Sequence, residues 1–247
     1  VPTFLGAHEV PREYKGKKSQ FVRDLVIDWI PEVAKRGLAE FCDVFCDQGV
    51  FTSKDSAIIL YVAREHGLKP KIHSDEFKAI GGTELAAQIG AHSADHLAAI
   101  TAKGIKALKG SSTVATLLPA TCLTLDFERW PPARELIAEG IPVALATDCN
   151  PGSSMTESLP LVMSLACNRM RMTPQETLSA VTLNGAAALD RAHLCGSLQI
   201  DKFADISFWN ATCLEEIPYH MNGNLCVGTI IGGDEWIQSS MNLSPYQ

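Results

Sequence analysis

The sequence predicts a parallel β/α architecture followed by a smaller β module, and three observations predict it. Six short apolar stretches of strand character alternate with stretches of helical periodicity as far as residue 148. Three of those strands finish in histidine or carboxylate residues that a buried strand would not otherwise select. From Gly196 the texture changes to short β segments.

Residues 3–10 are the first strand, and a polar loop runs on through Ser19. Residues 22–36 carry Leu25, Trp29, Ile30 and Val33 at helical spacing, with Gly37 as a stop and Pro31 as a kink or restart. Residues 41–47 are the second strand. Thr52, with Asp55 three residues on, opens a helix that stops at Gly67, and His66 in its last turn suits the helix dipole. The third strand ends in Lys71-Ile72-His73-Ser74-Asp75-Glu76. A helix at 83–89, a strand at 93–97, a helix at 102–108, a strand at 114–120, a helix at 131–139 and a strand at 142–148 complete the alternation. Beyond the turn Cys149-Asn150-Pro151-Gly152-Ser153 come an apolar helix at 156–168 and a second helix opened by Thr173, Pro174 and Glu176, continuous to Leu189. Residues 204–209 and 227–231 read as strands of the β module.

With 247 residues, 46% of them apolar and 20% charged, the chain can bury a large core. A net charge of −7 without Lys/Arg clustering argues against a nucleic-acid surface, and Lys15-Gly16-Lys17-Lys18 reads as a solvated loop. No apolar run approaches the ~20 residues that span a bilayer. The eight scattered cysteines read as reduced, mostly buried thiols of a cytoplasmic protein, with Cys42 and Cys46 on one strand face. The chain opens at Val1, already close to an apolar strand, which is expected of a piece of a longer protein.

His73 and Glu76, Asp95 and His96, and Asp148 with Asn150 stand at the ends of parallel strands, which converge on the face where barrel enzymes keep their sites. One imidazole and one carboxylate suit zinc or iron, although a catalytic zinc usually has at least three protein ligands. The G-x-S-x-G, G-x-G-x-x-G and H-E-x-x-H patterns are absent, and a cysteine nucleophile at Cys149 is the less favoured chemistry.

Thr3-Phe-Leu-Gly-Ala-His8, Cys42-Asp-Val-Phe-Cys46, Lys71-Ile-His-Ser-Asp-Glu76, Ser93-Ala-Asp-His96-Leu97, Ala146-Thr-Asp-Cys-Asn-Pro-Gly-Ser-Ser154 and Ile217-Pro-Tyr-His220 resemble the imidazolonepropionases, amidohydrolase-superfamily enzymes of histidine degradation. The resemblance implies an α/β fold, a (β/α)8 TIM barrel with a small β-sandwich. Residues 1–190 would be a partial metal-dependent hydrolase barrel holding about strands three to eight, and residues 191–247 the part with β-sandwich segments. It implies one zinc or iron ion, the substrate 4-imidazolone-5-propanoate, the product N-formimidoyl-L-glutamate and a homodimer. His73 and Asp148 would bind the metal, His8, Glu76 and Ser153 the substrate, and Asn150 and Gly152 the product. Asp148, His96 and Glu76 would be catalytic: Asp148 takes the proton of the attacking water, a protonated His96 or the metal stabilises the oxyanion, and Glu76 holds the ring N–H groups. A His-x-His pair and an Arg and Tyr for substrate would lie upstream, this chain being roughly the last three-fifths of the enzyme.

Asp201 and Asn222 replace glycines of the family pattern, and both residue types tolerate a left-handed backbone. Two alternatives stay open: another amidohydrolase, such as a deaminase acting on a cyclic amidine, and a non-catalytic barrel scaffold.

Overall fold

Alternation of apolar residues along each strand decides which side of the sheet meets helices and which side meets the site. The structure, a computed structural model, describes residues 1–221, 223–233 and 235–238. Strand β1 (Thr3–Ala7) leads to α1 (Lys18–Asp24), one wide turn of π-helix at Leu25–Trp29, and α2 (Ile30–Lys35). In the wide turn Ile30 N–H donates to Leu25 O, so the chain re-enters α-helix just before Pro31, which has no N–H to offer. The helix therefore starts earlier than its apolar spacing predicts, and Pro31 marks the restart.

Strand β2 (Phe41–Cys46) precedes α3 (Ser53–Glu65), where Thr52 and Asp55 close the expected capping box. Lys18 donates to the Val50 carbonyl and pairs with Asp55 at 3.1 Å, so this lysine is bound rather than merely solvated. Then follow β3 (Lys69–Ser74), α4 (Gly82–Ile89), β4 (Ser93–His96), α5 (Ala102–Lys109) and β5 (Val114–Leu117). The predicted strand at 114–120 stops short because Pro119 lacks a ladder donor and its fixed φ suits a helix start, giving α6 (Pro119–Thr124).

Helix α7 (Ala133–Ala138), β6 (Val143–Leu145) and α8 (Leu159–Met170) come next. Helix α8 begins later than predicted, where Ser158 Oγ accepts from Leu161 N. The capping box of Thr173 and Glu176 opens α9 (Pro174–Val181), but Thr182, at φ −115° and ψ −90°, breaks the predicted long helix and starts α10 (Leu183–Ala188).

The six strands form one parallel sheet in sequential order, β1-β2-β3-β4-β5-β6. Cys42, Val44, Cys46, Ile72, Ala94, Ala115, Leu117, Val143 and Leu145 share one buried cluster with Phe21, Ile59, Leu85 and other helix residues. Residues between them in sequence face the other way, where Val114 and Ala144 pack on Ala188 of α10. The register puts Phe45, His73, Asp95, Thr116 and Ala144 in one row across that second face.

Beyond α10, β7 (Ile206–Trp209), α11 (Glu216–Tyr219), β8 (Cys226–Ile231) and β9 (Glu235–Gln238) follow, the three strands forming an antiparallel sheet. Asp201 has φ 69°, the left-handed conformation expected where it replaces glycine; Asn222 lies outside the described residues. All eight cysteines are free, but only Cys42, Cys46 and Cys122 are buried, fewer than expected. No helix among the described residues is long and apolar enough to cross a membrane.

Candidate active site

Carboxylates and imidazoles gather where β1 to β4 and β6 end: Asp43, His73 and His96 lie on the strands, and His8, Glu76 and Asp148 in the residues that follow them. Asp43, in the middle of β2, is only 2% exposed. Its Oδ1 accepts from His73 Nδ1–H at 2.8 Å and lies 3.5 Å from Nε2 of His8, just after β1. One donor atom from each of His8, Asp43 and His73 falls within 4.8 Å of the others. The His8 and His73 rings meet edge to face with centroids 4.4 Å apart, and the His96 ring lies 5.1 Å from that of His73. His96 Nε2 is 3.6 Å from Glu76 Oε2.

Burial acts differently on these groups. It pushes the Glu76 carboxyl up to about 7 and the Asp75 carboxyl up to about 6. It pulls His73 down, but Asp43 outweighs it and lifts the imidazole to about 9; the same pairing, with His8 added, holds Asp43 well below the carboxylate range despite its burial. His96, buried and facing a cationic His73, is held well below the usual histidine value. Burial and the neighbouring charge thus favour its neutral form.

Two loops fix the remaining carboxylates. Asp47, after β2, accepts from the backbone N–H groups of Phe77 and Lys78 at 2.9 and 3.1 Å and so holds the turn that follows Glu76. Asp75 accepts from Thr83 Oγ1 at 2.6 Å, fixing the first turn of α4. A Cβ on Gly82 would come within 2.7 Å of Ser74 Cβ and 3.2 Å of Cys46 Sγ, so only glycine lets α4 start this close to the ends of β2 and β3.

Asp148 lies beyond β6, and its Oδ2 accepts from Thr121 Oγ1 at 2.5 Å. It is near enough to act electrostatically on both His73 and Glu76. Asn150 builds the next loop: its Oδ1 accepts from the N–H groups of Gly152 and Ser153 at 2.8 and 2.9 Å, and its Nδ2 donates to the Asp148 carbonyl at 2.6 Å. The side chains of Asn150 and Ser153 touch each other, whereas Gly152 is exposed at the loop tip.

Asp75, His96, Leu97 and Asp148 all have positive φ, between 51° and 80°. Aspartate tolerates this conformation; histidine less readily, and leucine at about 1–2 kcal/mol. The cost concentrates where the strands deliver their polar ends.

Sequence reasoning placed His8, His73, Glu76, His96 and Asp148 at one end of the sheet, and the fold assembles them there. It passed over Asp43 and Thr121. Asp43 was visible as a carboxylate inside an apolar strand flanked by Cys42 and Val44, where alternation turns it away from the helices. Asp95 stands beside His73 in the register row and acts on it electrostatically, but its Oδ2 pairs with Lys71 Nζ at 3.8 Å, while Oδ1 and the neighbouring Thr116 Oγ1 have no hydrogen-bond partner.

The donor set fits a divalent metal. Imidazole nitrogens and carboxylate oxygens, the donors such an ion takes, lie within 4.8 Å of one another around His73, and His8 Nε2 is buried without a hydrogen-bond partner.

The sequence profile of the Amidohydrolase family matches residues 45–235. The chain is 50% identical over 233 residues to the imidazolonepropionase of Geobacillus thermodenitrificans, covering 94% of this chain and 55% of that protein. It is 49% identical over 225 residues to the imidazolonepropionase of Alkaliphilus metalliredigens, covering 91% and 53% respectively. The chain thus spans about half the length of the curated relatives it matches. Among solved structures, an adenosine deaminase from Xanthomonas campestris with bound Zn superposes with a TM-score of 0.64 at 18% identity, over 94% of this chain and 59% of that one. At that identity the match speaks for the amidohydrolase-type barrel alone.

Proposed function

We propose, from the premise that this chain belongs to the amidohydrolase family, that it is the part of an imidazolonepropionase that carries most of the catalytic groups. The reaction consumes one water and opens the ring of 4-imidazolone-5-propanoate to N-formimidoyl-L-glutamate. The observation that carries the reading is the 50% identity to a protein of that name over 94% of this chain.

His73 and Asp148 would hold a zinc or iron ion. When bound, such an ion lowers the pKa of water from 15.7 towards ~7 and polarises a carbonyl. Asp148 takes the proton of the attacking water, its carboxylate held by Thr121 at 2.5 Å. The water oxygen bonds to the ring carbonyl carbon, the ring C–N bond breaks, and the proton from Asp148 goes to the departing nitrogen. His96, a neutral imidazole 3.6 Å from Glu76, donates a hydrogen bond to the developing oxyanion. With its pKa near 7, Glu76 can accept from the ring N–H groups or share a proton with them, and so holds the ring for attack. His8 and Ser153 contact the substrate and Gly152 the product, on the loop that Asn150 shapes while touching the product itself. The eight free thiols support a reducing, cytoplasmic setting.

The test is turnover of 4-imidazolone-5-propanoate by the protein in its natural length, with N-formimidoyl-L-glutamate identified by mass. Cyclic amidines serve as controls. Release of ammonia from those controls, with no ring opening of the imidazolone, would replace this reading with a deaminase.

A further inference from the structure

Asp43 has no place in the reaction just described, yet it is a buried carboxylate in direct contact with two histidines of the site. It lies inside an apolar strand at 2% exposure, where an unpartnered charge would be costly. Among the described residues its side-chain partners are two imidazoles, and one oxygen serves both: Oδ1 accepts from His73 Nδ1–H at 2.8 Å and stands 3.5 Å from His8 Nε2. The third imidazole, His96, faces Glu76 instead.

Resting on the reading of the site given above, we propose that Asp43 is a positioning residue that sets the two histidines for metal and substrate. By holding the Nδ1 proton of His73 it leaves Nε2, on the far side of the ring, as the nitrogen that would give up its proton to a metal. By facing His8 Nε2 it turns that ring so that Nδ1 is the nitrogen left for substrate. Asp43 is not itself a ligand: an ion shared between Asp43 and His73 Nδ1 would have to break the 2.8 Å hydrogen bond on which both side chains rest. The carboxylate thus couples metal affinity to substrate affinity through a single oxygen.

The experiment compares wild type, Asp43→Asn, Asp43→Ala and His73→Ala, each in the protein of natural length. Zn2+ affinity is measured by competition with a chromogenic chelator, and kcat and KM on the imidazolone substrate are measured alongside. Asp43→Asn keeps an acceptor oxygen and should still bind one Zn2+, weakened about 10- to 100-fold, with a raised KM. Asp43→Ala should lose more of both, and His73→Ala should lose the site. A Zn2+ affinity and KM unchanged in Asp43→Asn and Asp43→Ala would overturn the role. So would loss of Zn2+ in Asp43→Asn as complete as in His73→Ala, which would make Asp43 a ligand.

A measurement on the wild type needs no variant to fold. The 15N–1H spectrum of the Zn2+-loaded protein should show His73 protonated at Nδ1, and protonation at Nε2 overturns the proposal. Failure of the underlying reading looks different: wild type that binds no Zn2+, or binds it without opening the imidazolone ring, removes the reaction and this role with it.

Discussion

The two ends of the parallel sheet carry charged residues in opposite conditions. At the ends where the strands begin, Glu40 accepts from Arg191 with both carboxylate oxygens at 2.6 Å, and Lys69 pairs with Asp190 at 2.5 Å. These ion pairs are partly exposed, mutually satisfied, and tie β2 and β3 to the segment after α10 across 151 and 121 residues of sequence. At the ends where the strands finish, Asp43, His73, Glu76 and His96 crowd together with Asp148, the protonation of His73, Glu76 and His96 is shifted, and His8 Nε2 is left without a hydrogen bond. Charges paired off in water's reach hold the fold at little cost and small gain. Charges crowded into a dry pocket destabilise it unless a ligand completes them.

If that contrast is right, substitutions at the two ends should separate cleanly. The largest effect is expected at the finishing ends. His73→Ala should abolish metal uptake, read by elemental analysis, and Asp148→Asn should lower kcat by about 10²- to 10⁴-fold; stoichiometric metal in the first or near-normal kcat in the second would break the comparison. Glu76→Gln should lower kcat/KM by roughly 10- to 100-fold, the worth of a hydrogen bond to a charged group, chiefly through KM.

Gly82→Ala tests the scaffold beneath the same end. Its Cβ would press on Ser74 Cβ from 2.7 Å, and overpacking of this kind costs about 1–3 kcal/mol in chemical denaturation.

A pH series on metal-stripped protein sharpens the point. Folded Glu76 keeps its proton up to about pH 7, whereas the unfolded chain releases it near 4.5. Its contribution therefore turns increasingly unfavourable as pH rises from about 4.5 through 7. Glu76→Gln should raise the melting midpoint at pH 8 and leave it unchanged at pH 4. The smallest effect belongs to the starting ends: Lys69→Met should lower the midpoint by only about 1–3 °C and leave kinetics untouched.

Much of this layout could be read from the sequence. Short apolar strands, helix stops at Gly37 and Gly67, and caps at Thr52 and Thr173 are local signals, and each appears where expected. What escaped depends on geometry between distant segments. Thr121 reaches Asp148 only because Pro119 turns a predicted strand into a helix start. Asp43 is legible as a carboxylate within an apolar strand, but its role depends on His8 and His73, which are 35 and 30 positions away. The neutral state of His96 follows from burial beside His73, a property of the packed protein and not of the motif Ser93-Ala94-Asp95-His96.

The site also spans the whole width of the sheet. His8 follows β1 and Asp148 follows β6, the first and last strands in the hydrogen-bonded order, yet both bear on His73 at the end of β3. Whatever binds among these residues must therefore draw the two outermost strands towards a common point. Occupancy and strand curvature are then two readings of one equilibrium. A ligand at 100 times its dissociation constant would add about 2.7 kcal/mol to the stability of the entire sheet, and loosening either outer strand, far from any polar side chain, would weaken binding by the same linkage.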